Sequence, residues 1–260
     1  MLKGKTALVT GSTSGIGLGI AHALAAQGAN LVFNGFGDPK DIGLLQVDVA
    51  QRYGVQTAYH NADMSKPQEI EALMRFAIDR FGAVDVLVNN AGIQYVADIE
   101  NFPPEKWDAV IAINLSSAFH TTRLALPLMK VKNWGRIINL ASVHGLVGSA
   151  QKSAYVAAKH GLIGLTKVTA LETAHTGVTC NAICPGWVLT PLVQQQVDAR
   201  AVAGGISNEA AKRNLLAEKQ PSGEFVTPEQ LGALAVFFCS AAGNQVRGVA
   251  WNMDGGWVAQ

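Results

Sequence analysis

Thr6-Ala7-Leu8-Val9-Thr10-Gly11-Ser12-Thr13-Ser14-Gly15-Ile16-Gly17 is the stretch that decides the fold. Its first five residues form a short apolar, β-branched run closed by glycine, which reads as a buried strand over 6–10. From Ile16 to Gln27 the apolar residues recur at helical spacing, and Gly28 is a plausible stop. Strand, glycine-rich turn and helix in that order point the unpaired amides of the helix N-terminus at the turn. Glycines there let the backbone approach a pyrophosphate, whose charge the helix end favours. A tight βα turn needs glycines with or without a ligand, and Gly-x-x-x-Gly-x-Gly departs from the usual dinucleotide spacing. The strand–turn–helix setting is what gives the motif weight.

Outward from this unit the same alternation repeats. Strands are expected at Asn30–Asn34, 57–61, 84–88, 135–141, 179–184 and 248–253. Helices are expected at 42–53, Pro67–Phe81, 104–115, 117–130, 154–174 and 228–240. Repeated β-α-β units with right-handed crossovers require a doubly wound, mainly parallel sheet of seven strands with helices on both faces. No shift in composition marks a second domain, so the 260 residues are read as one domain. The polar segment 192–223, with Gly204-Gly205 inside it, interrupts the pattern. It reads either as a helical lid over a substrate or as a plain surface hairpin.

Twenty Lys+Arg against 19 Asp+Glu leave a net charge of +1, so nothing drives binding to a phosphate backbone and nucleic acid is not an expected partner. With 49% hydrophobic and 15% charged residues, the chain is suited to a filled core rather than to disorder. Cys180, Cys184 and Cys239 cannot all pair and sit among apolar residues, which suits a reducing compartment. The start lacks a secretory pattern, and the uncharged stretch 231–246 is too short and interrupted to cross a bilayer. A soluble, cytoplasmic protein is therefore expected.

A second signal is Tyr155-Val-Ala-Ala-Lys159 on the long helix. Spacing i, i+4 places phenol and ammonium on one face, where the cation should lower the phenol pKa and make it a proton acceptor for an alcohol. Taken alone, such a pair is common on amphipathic helices. Together with the glycine-rich turn, however, it resembles the short-chain dehydrogenase/reductase family, and the likeness runs through essentially the whole chain. Asn89-Asn90-Ala91-Gly92 follows the central strand, Asn114 and Ser142 precede Tyr155 and Lys159, and Pro185-Gly186 closes a later strand, all in the family's order.

The resemblance implies a Rossmann-type fold and a catalytic set of Asn114, Ser142, Tyr155 and Lys159. It implies cofactor contacts from Gly11, Thr13, Ser14, Gly15, Ile16 and Gly17 in the first turn. Phe36 and Asp63 would flank the adenosine, Asn90, Ala91 and Gly92 the middle, and Pro185, Gly186, Val188 and Thr190 the nicotinamide end, with Tyr155 and Lys159 at its ribose. Asn114 would position a water connecting Lys159 to solvent. No Arg or Lys occurs at 12–14 or beside Phe36 before Lys40, so a 2′-phosphate would be poorly held and NAD is the expected cofactor. Asp38 either binds the ribose or serves the turn before Pro39.

The more individual stretches are similar to family members that oxidise a short (R)-3-hydroxy acid. That likeness implies Gln94, His144, Lys152 and Gln196 around a substrate carboxylate, Ser142 and Tyr155 at its hydroxyl, and Trp187 and Trp257 walling its methyl side. Lys152, three residues before Tyr155, can bring a cation close to the reacting hydroxyl, although a solvated lysine there would be unremarkable. The alternatives within the fold are an acyl-carrier-protein reductase or a sugar-alcohol dehydrogenase. A non-catalytic NAD sensor would have no use for the Asn-Ser-Tyr-Lys set. The six histidines are scattered and Cys180 with Cys184 has no second pair, so no metal site is expected. The family commonly forms homotetramers through the Tyr155 helix and the last strand.

Overall fold

A computed structural model of the chain describes residues 1–259, except for the side chain of Leu192. Strand β1 (Thr6–Val9) leads to α1 (Gly15–Ala26), β2 (Asn30–Asn34) to α2 (Pro39–Tyr53), and β3 (Thr57–His60) to α3 (Pro67–Phe81). The second half continues with β4 (Val86–Asn89), α4 (Pro104–Ile111), α5 (Ser117–Val131), β5 (Gly135–Leu140) and α6 (Ser153–Glu172). It closes with β6 (Val178–Pro185), α7 (Pro191–Gly204), α8 (Asn208–Ala217), α9 (Pro228–Cys239) and β7 (Ala250–Met253). All seven strands pair in parallel, in the order β3-β2-β1-β4-β5-β6-β7.

Parallel strands need a crossover, and helices on both faces bury them completely: β1, β4, β5 and β6 have no exposed residue. Side chains alternate between the faces. Val9, Phe33, Val88 and Ile138 meet α1 and α9, while Leu8, Val32, Leu87 and Ile137 meet the α3 and α5 side. Removing a fully buried side chain such as Phe33 or Leu87 from water contributes about 1.5–3 kcal/mol. Close packing of α1 on α9 depends on small residues, since a Cβ at Gly232 would meet Ala23 and the backbone of Gly19.

Strand order reverses between β1 and its neighbours β2 and β4, which opens a crevice beyond the carboxyl ends of the strands. Three differences from the sequence pattern bear on the site. Helix α2 begins at Pro39 rather than 42, because the Asp38 carboxylate accepts from the amides of Lys40 and Asp41 and caps it. Strand β4 starts two residues later and ends one residue later than the 84–88 run. Finally, α4 and α5 are joined through a π-helical turn, Ala112–Ser116, where a break was expected. The polar segment after β6 is the helical pair α7 and α8, which meet through Val193, Val197, Ala201, Ala211 and Leu215 with Trp187 and Phe225 against them.

Candidate active site

A cleft of about 490 Å³ runs along the carboxyl ends of the strands from the first glycine turn to Trp257. At one end Gly11 and Gly15 have φ of +62° and +56°, values that other residues rarely adopt. Ser14 makes no side-chain cap to α1, so the first amides of this helix are available to an anion in the cleft. The turn is laced to the loop after β4: the Thr10 hydroxyl accepts from the amides of Asn90 and Ala91, and the Asn90 amide donates to the carbonyls of Thr10 and Gly11. Asn34, buried and unmarked by any motif, accepts from Gly11 N and donates to the carbonyls of His60 and Ala62. It thereby ties the ends of β1, β2 and β3 together.

Thr13, Ser14, Gly15, Ile16, Phe36, Asp63, Ala91, Gly92, Pro185, Gly186, Val188 and Thr190 all line this cleft. Gly17 does not. It lies behind the turn, where a Cβ would collide with the Gly11 carbonyl and the Asn90 amide, so its role is to let the turn close. Phe36 is exposed, and among the described residues the only Lys or Arg side chains lining the cleft, Lys152 and Lys159, are at its opposite end. Asp63 accepts from the backbone and hydroxyl of Ser65, which hold its carboxyl below the usual range. Asp38 caps α2 and is not a lining residue. An uncapped helix end, a glycine cradle and an open slot lined by Phe36 and Asp63 fit a dinucleotide.

The other end gathers Gln94, Ser142, His144, Lys152, Tyr155, Lys159, Trp187, Gln196 and Trp257 around one space. Asn114 stands back from it. The π-helical turn swings its amide onto the loop after β4, where it accepts from Ile93 N and donates to Ile93 O, both at 2.9 Å. This reciprocal pair fixes Asn114 on the loop and leaves one amide hydrogen and one carbonyl lone pair for a further contact.

Contrary to what its spacing on the helix suggested, Lys159 alone does not lower the Tyr155 pKa in the free protein. Lys159 donates to the Leu140 carbonyl at 2.6 Å, and its Nζ stands 5.5 Å from the Tyr155 ring centre. Burial drives the Tyr155 phenol upward, with only a hydrogen bond from Ser142 acting in the other direction. Burial also lowers the Lys159 ammonium to about 8.

Beside this pair, Lys152 Nζ is 3.4 Å from His144 Nε2 and 5.4 Å from the Trp187 ring centre. Burial, then the charges of Lys152 and Lys219, push His144 down to about 4, so the imidazole is neutral near pH 7. Burial and Arg200 lower Lys152 as well. Trp257 packs edge-on against His144 and tilts against Trp187, giving the space an apolar wall. A cation and neutral donors set against two indoles would hold a small carboxylate with a short apolar chain. Among the described residues no cluster of His, Cys, Asp or Glu could hold a metal, and Cys180, Cys184 and Cys239 are buried and unpaired.

Residues 5–201 match the family model described as short chain dehydrogenase. The chain is 72% identical to D-beta-hydroxybutyrate dehydrogenase of Cupriavidus necator, over all of both chains. It is 54% identical to the protein of the same name from Rhizobium meliloti, over 98% of this chain and 99% of that one. Among solved structures it resembles L-sorbose reductase from Gluconobacter frateurii complexed with NADPH and L-sorbose. That match has a TM-score of 0.95 and 28% identity, and it covers 100% of this chain and 98% of the other. An actinorhodin polyketide ketoreductase with NADPH gives 0.90 and 34%, over 99% of each.

Proposed function

Because the chain belongs to the short chain dehydrogenase family, we propose that it interconverts (R)-3-hydroxybutyrate and acetoacetate with NAD. The observation that carries the proposal is the meeting, in one cleft, of Tyr155 and Ser142 with Lys152, His144 and two tryptophans. The full-length identity to two D-beta-hydroxybutyrate dehydrogenases supports the same reading.

When bound, the nicotinamide supplies the acceptor for the hydride of the carbinol carbon. Tyr155 takes the hydroxyl proton at its phenol oxygen, and Ser142 hydrogen-bonds the reacting oxygen and stabilises its developing charge. Lys159, anchored on Leu140, holds the cofactor ribose and keeps a positive charge below the phenol. Asn114 acts one step away by fixing the loop at Ile93. Lys152 binds the carboxylate with Gln94, Gln196 and neutral His144, while Trp187 and Trp257 exclude water from the methyl side. NAD is favoured over NADP because Phe36 stands where a cation would have to meet a 2′-phosphate. Helices α7 and α8 form a cover that brings Gln196 to the substrate. The protein works as a cytoplasmic homotetramer, its contacts made by α6 and the edge strand β7, which expose Val168, Leu171 and Trp251.

Initial rates with NAD⁺ and NADP⁺, the (R) acid, its (S) enantiomer and the (R) ethyl ester test all parts together. Rapid NAD⁺ reduction by the (R) acid alone is expected. Equal rates with the ester would remove the carboxylate site, and equal rates with NADP⁺ would remove the cofactor assignment.

A further inference from the structure

A second cavity, of about 370 Å³, shares two walls with the catalytic cleft, His144 and Trp257. Its other walls are Gly148, Ser149 and Ala150, from the turn before α6, and Lys219, from the turn after α8. Three segments far apart in sequence thus converge on a space directly behind His144 and Trp257, next to the carboxylate site.

The charges around this space are unbalanced. Lys219 is exposed, and among the described residues its ammonium takes part in no ion pair. The adjacent carboxylate, Glu218, is engaged elsewhere, accepting from both terminal nitrogens of Arg200. Lys219 is nonetheless well placed. Its neighbour Gln220 is 1% exposed, accepts from Trp187 N and donates to the Glu224 carbonyl, which fixes the backbone beside the cavity. Between Lys219 and the inner Lys152 stands His144, 6% exposed, with Nε2 facing Lys152 and Nδ1 without a partner. A cation outside, a buried donor-acceptor ring with an unfilled position, and a cation inside form a graded path for one small anion.

We infer that the second cavity is an outer site for the substrate carboxylate, held by Lys219, from which the acid passes His144 to reach Lys152. This rests on the proposed reaction with a 3-hydroxy acid. With the cofactor filling the glycine-turn side of the cleft, the acid approaches from the far end, where His144 and Trp257 separate the cleft from this cavity. A charge at a rim acts on association and its salt dependence, while the chemistry is left to the inner residues.

The test compares wild type, Lys219→Gln and Lys219→Arg in initial rates with NAD⁺, from about 0.01 to 0.15 M salt, where the screening length falls from about 30 to about 8 Å. In Lys219→Gln, kcat/KM for (R)-3-hydroxybutyrate should drop about three- to tenfold at low salt with kcat unchanged. The deficit should shrink as salt rises, and Lys219→Arg should restore the wild-type value. Rates with the neutral ethyl ester should be the same in all three. An unchanged kcat/KM and salt slope in Lys219→Gln overturns the outer site, as does an equal loss with acid and ester, which would mark a structural prop for α8. Wild-type turnover of the acid, measured first, tests the reaction separately. If it fails, acetate serves as the probe: its quenching of tryptophan fluorescence at low salt weakens in Lys219→Gln if the outer site exists, and is identical in both proteins if it does not.

Discussion

Lys159 reaches from α6 to the Leu140 carbonyl at the end of β5, a hydrogen bond of 2.6 Å that ties its ammonium to the backbone with Nζ 5.5 Å from the Tyr155 ring centre. The phenol of the free protein is therefore held above its ordinary range by burial, and the positive nicotinamide ring is needed to bring it down. Oxidation requires the phenolate, so kcat/KM for the alcohol should rise with pH while that for the ketone falls. Tyr155→Phe should bind NAD as the wild type does, by calorimetry, and lose about 10²- to 10⁴-fold in kcat. A kcat near wild type would assign the proton to another group.

Lys152 is the cation closest to His144 and the one whose loss should separate acid from ester. A charge-assisted hydrogen bond contributes about 1.5–3 kcal/mol. Lys152→Ala should thus raise KM for (R)-3-hydroxybutyrate roughly ten- to a hundredfold and hardly change that of the ethyl ester. Parallel changes for the two substrates would place the carboxylate elsewhere.

His144 gives the stability of the protein an acid-side slope. Its folded-state value, about 4, lies below the 6.5 of an unfolded histidine. Between these values the unfolded chain binds the extra proton, so folding stability is fully present above about pH 6.5. It is lost as pH falls toward 4, by up to about 3 kcal/mol. Urea denaturation at pH 7 and pH 4.5 should show a smaller pH-dependent loss in His144→Gln than in wild type. The same loss in both proteins would locate the slope in other groups.

Phe36 should be the position that sets cofactor choice. Replacing it with arginine offers a fork to a 2′-phosphate where the cleft now has no cation. In Phe36→Arg the ratio of kcat/KM for NADP⁺ to that for NAD⁺ should rise about ten- to a hundredfold, the worth of one charge-assisted contact. An unchanged ratio would show that the phosphate would lie elsewhere.

Asn114 closes a reciprocal pair of hydrogen bonds with Ile93, and its truncation leaves two part-buried backbone groups without that partner. Asn114→Ala should cost about 1–3 kcal/mol in unfolding free energy and reduce kcat through the displaced loop. Thermal denaturation monitored with turnover checks both. Lost turnover at full stability would give Asn114 a direct chemical part instead.

The order of strands and helices could be read from the chain because the periodicities are local: a buried strand needs only its own apolar run, and α1 only its own spacing. The glycine turn and the Tyr155–Lys159 pair were legible for the same reason. What escaped is long-range. Nothing near Asn34 signals that its side chain will clasp Gly11, His60 and Ala62. Helical spacing places Lys159 on the Tyr155 face but is silent on the Leu140 carbonyl, which β5 brings in from 19 residues away. A polar residue before proline could cap a helix or bind a ribose, and only the positions of the Lys40 and Asp41 amides decide for Asp38. Ala112–Ser116 lies where the chain passes from α4, packed on α6, to α5, packed on β4 and β5, a junction that composition does not mark.

The all-parallel sheet also governs how the molecule comes into being. None of its pairings is made by a hairpin: Ala7 registers with Val86, and Ile138 with Asn181, across long crossovers. Chain entropy must be surrendered over those loops before any central ladder repays it, so refolding from denaturant should be slow compared with a helical bundle of this length. Gly11, Ser142 and Trp257 reach one another only when these ladders are complete, and no partly built cleft precedes them. During refolding, catalytic competence should return in step with the sheet and never ahead of it.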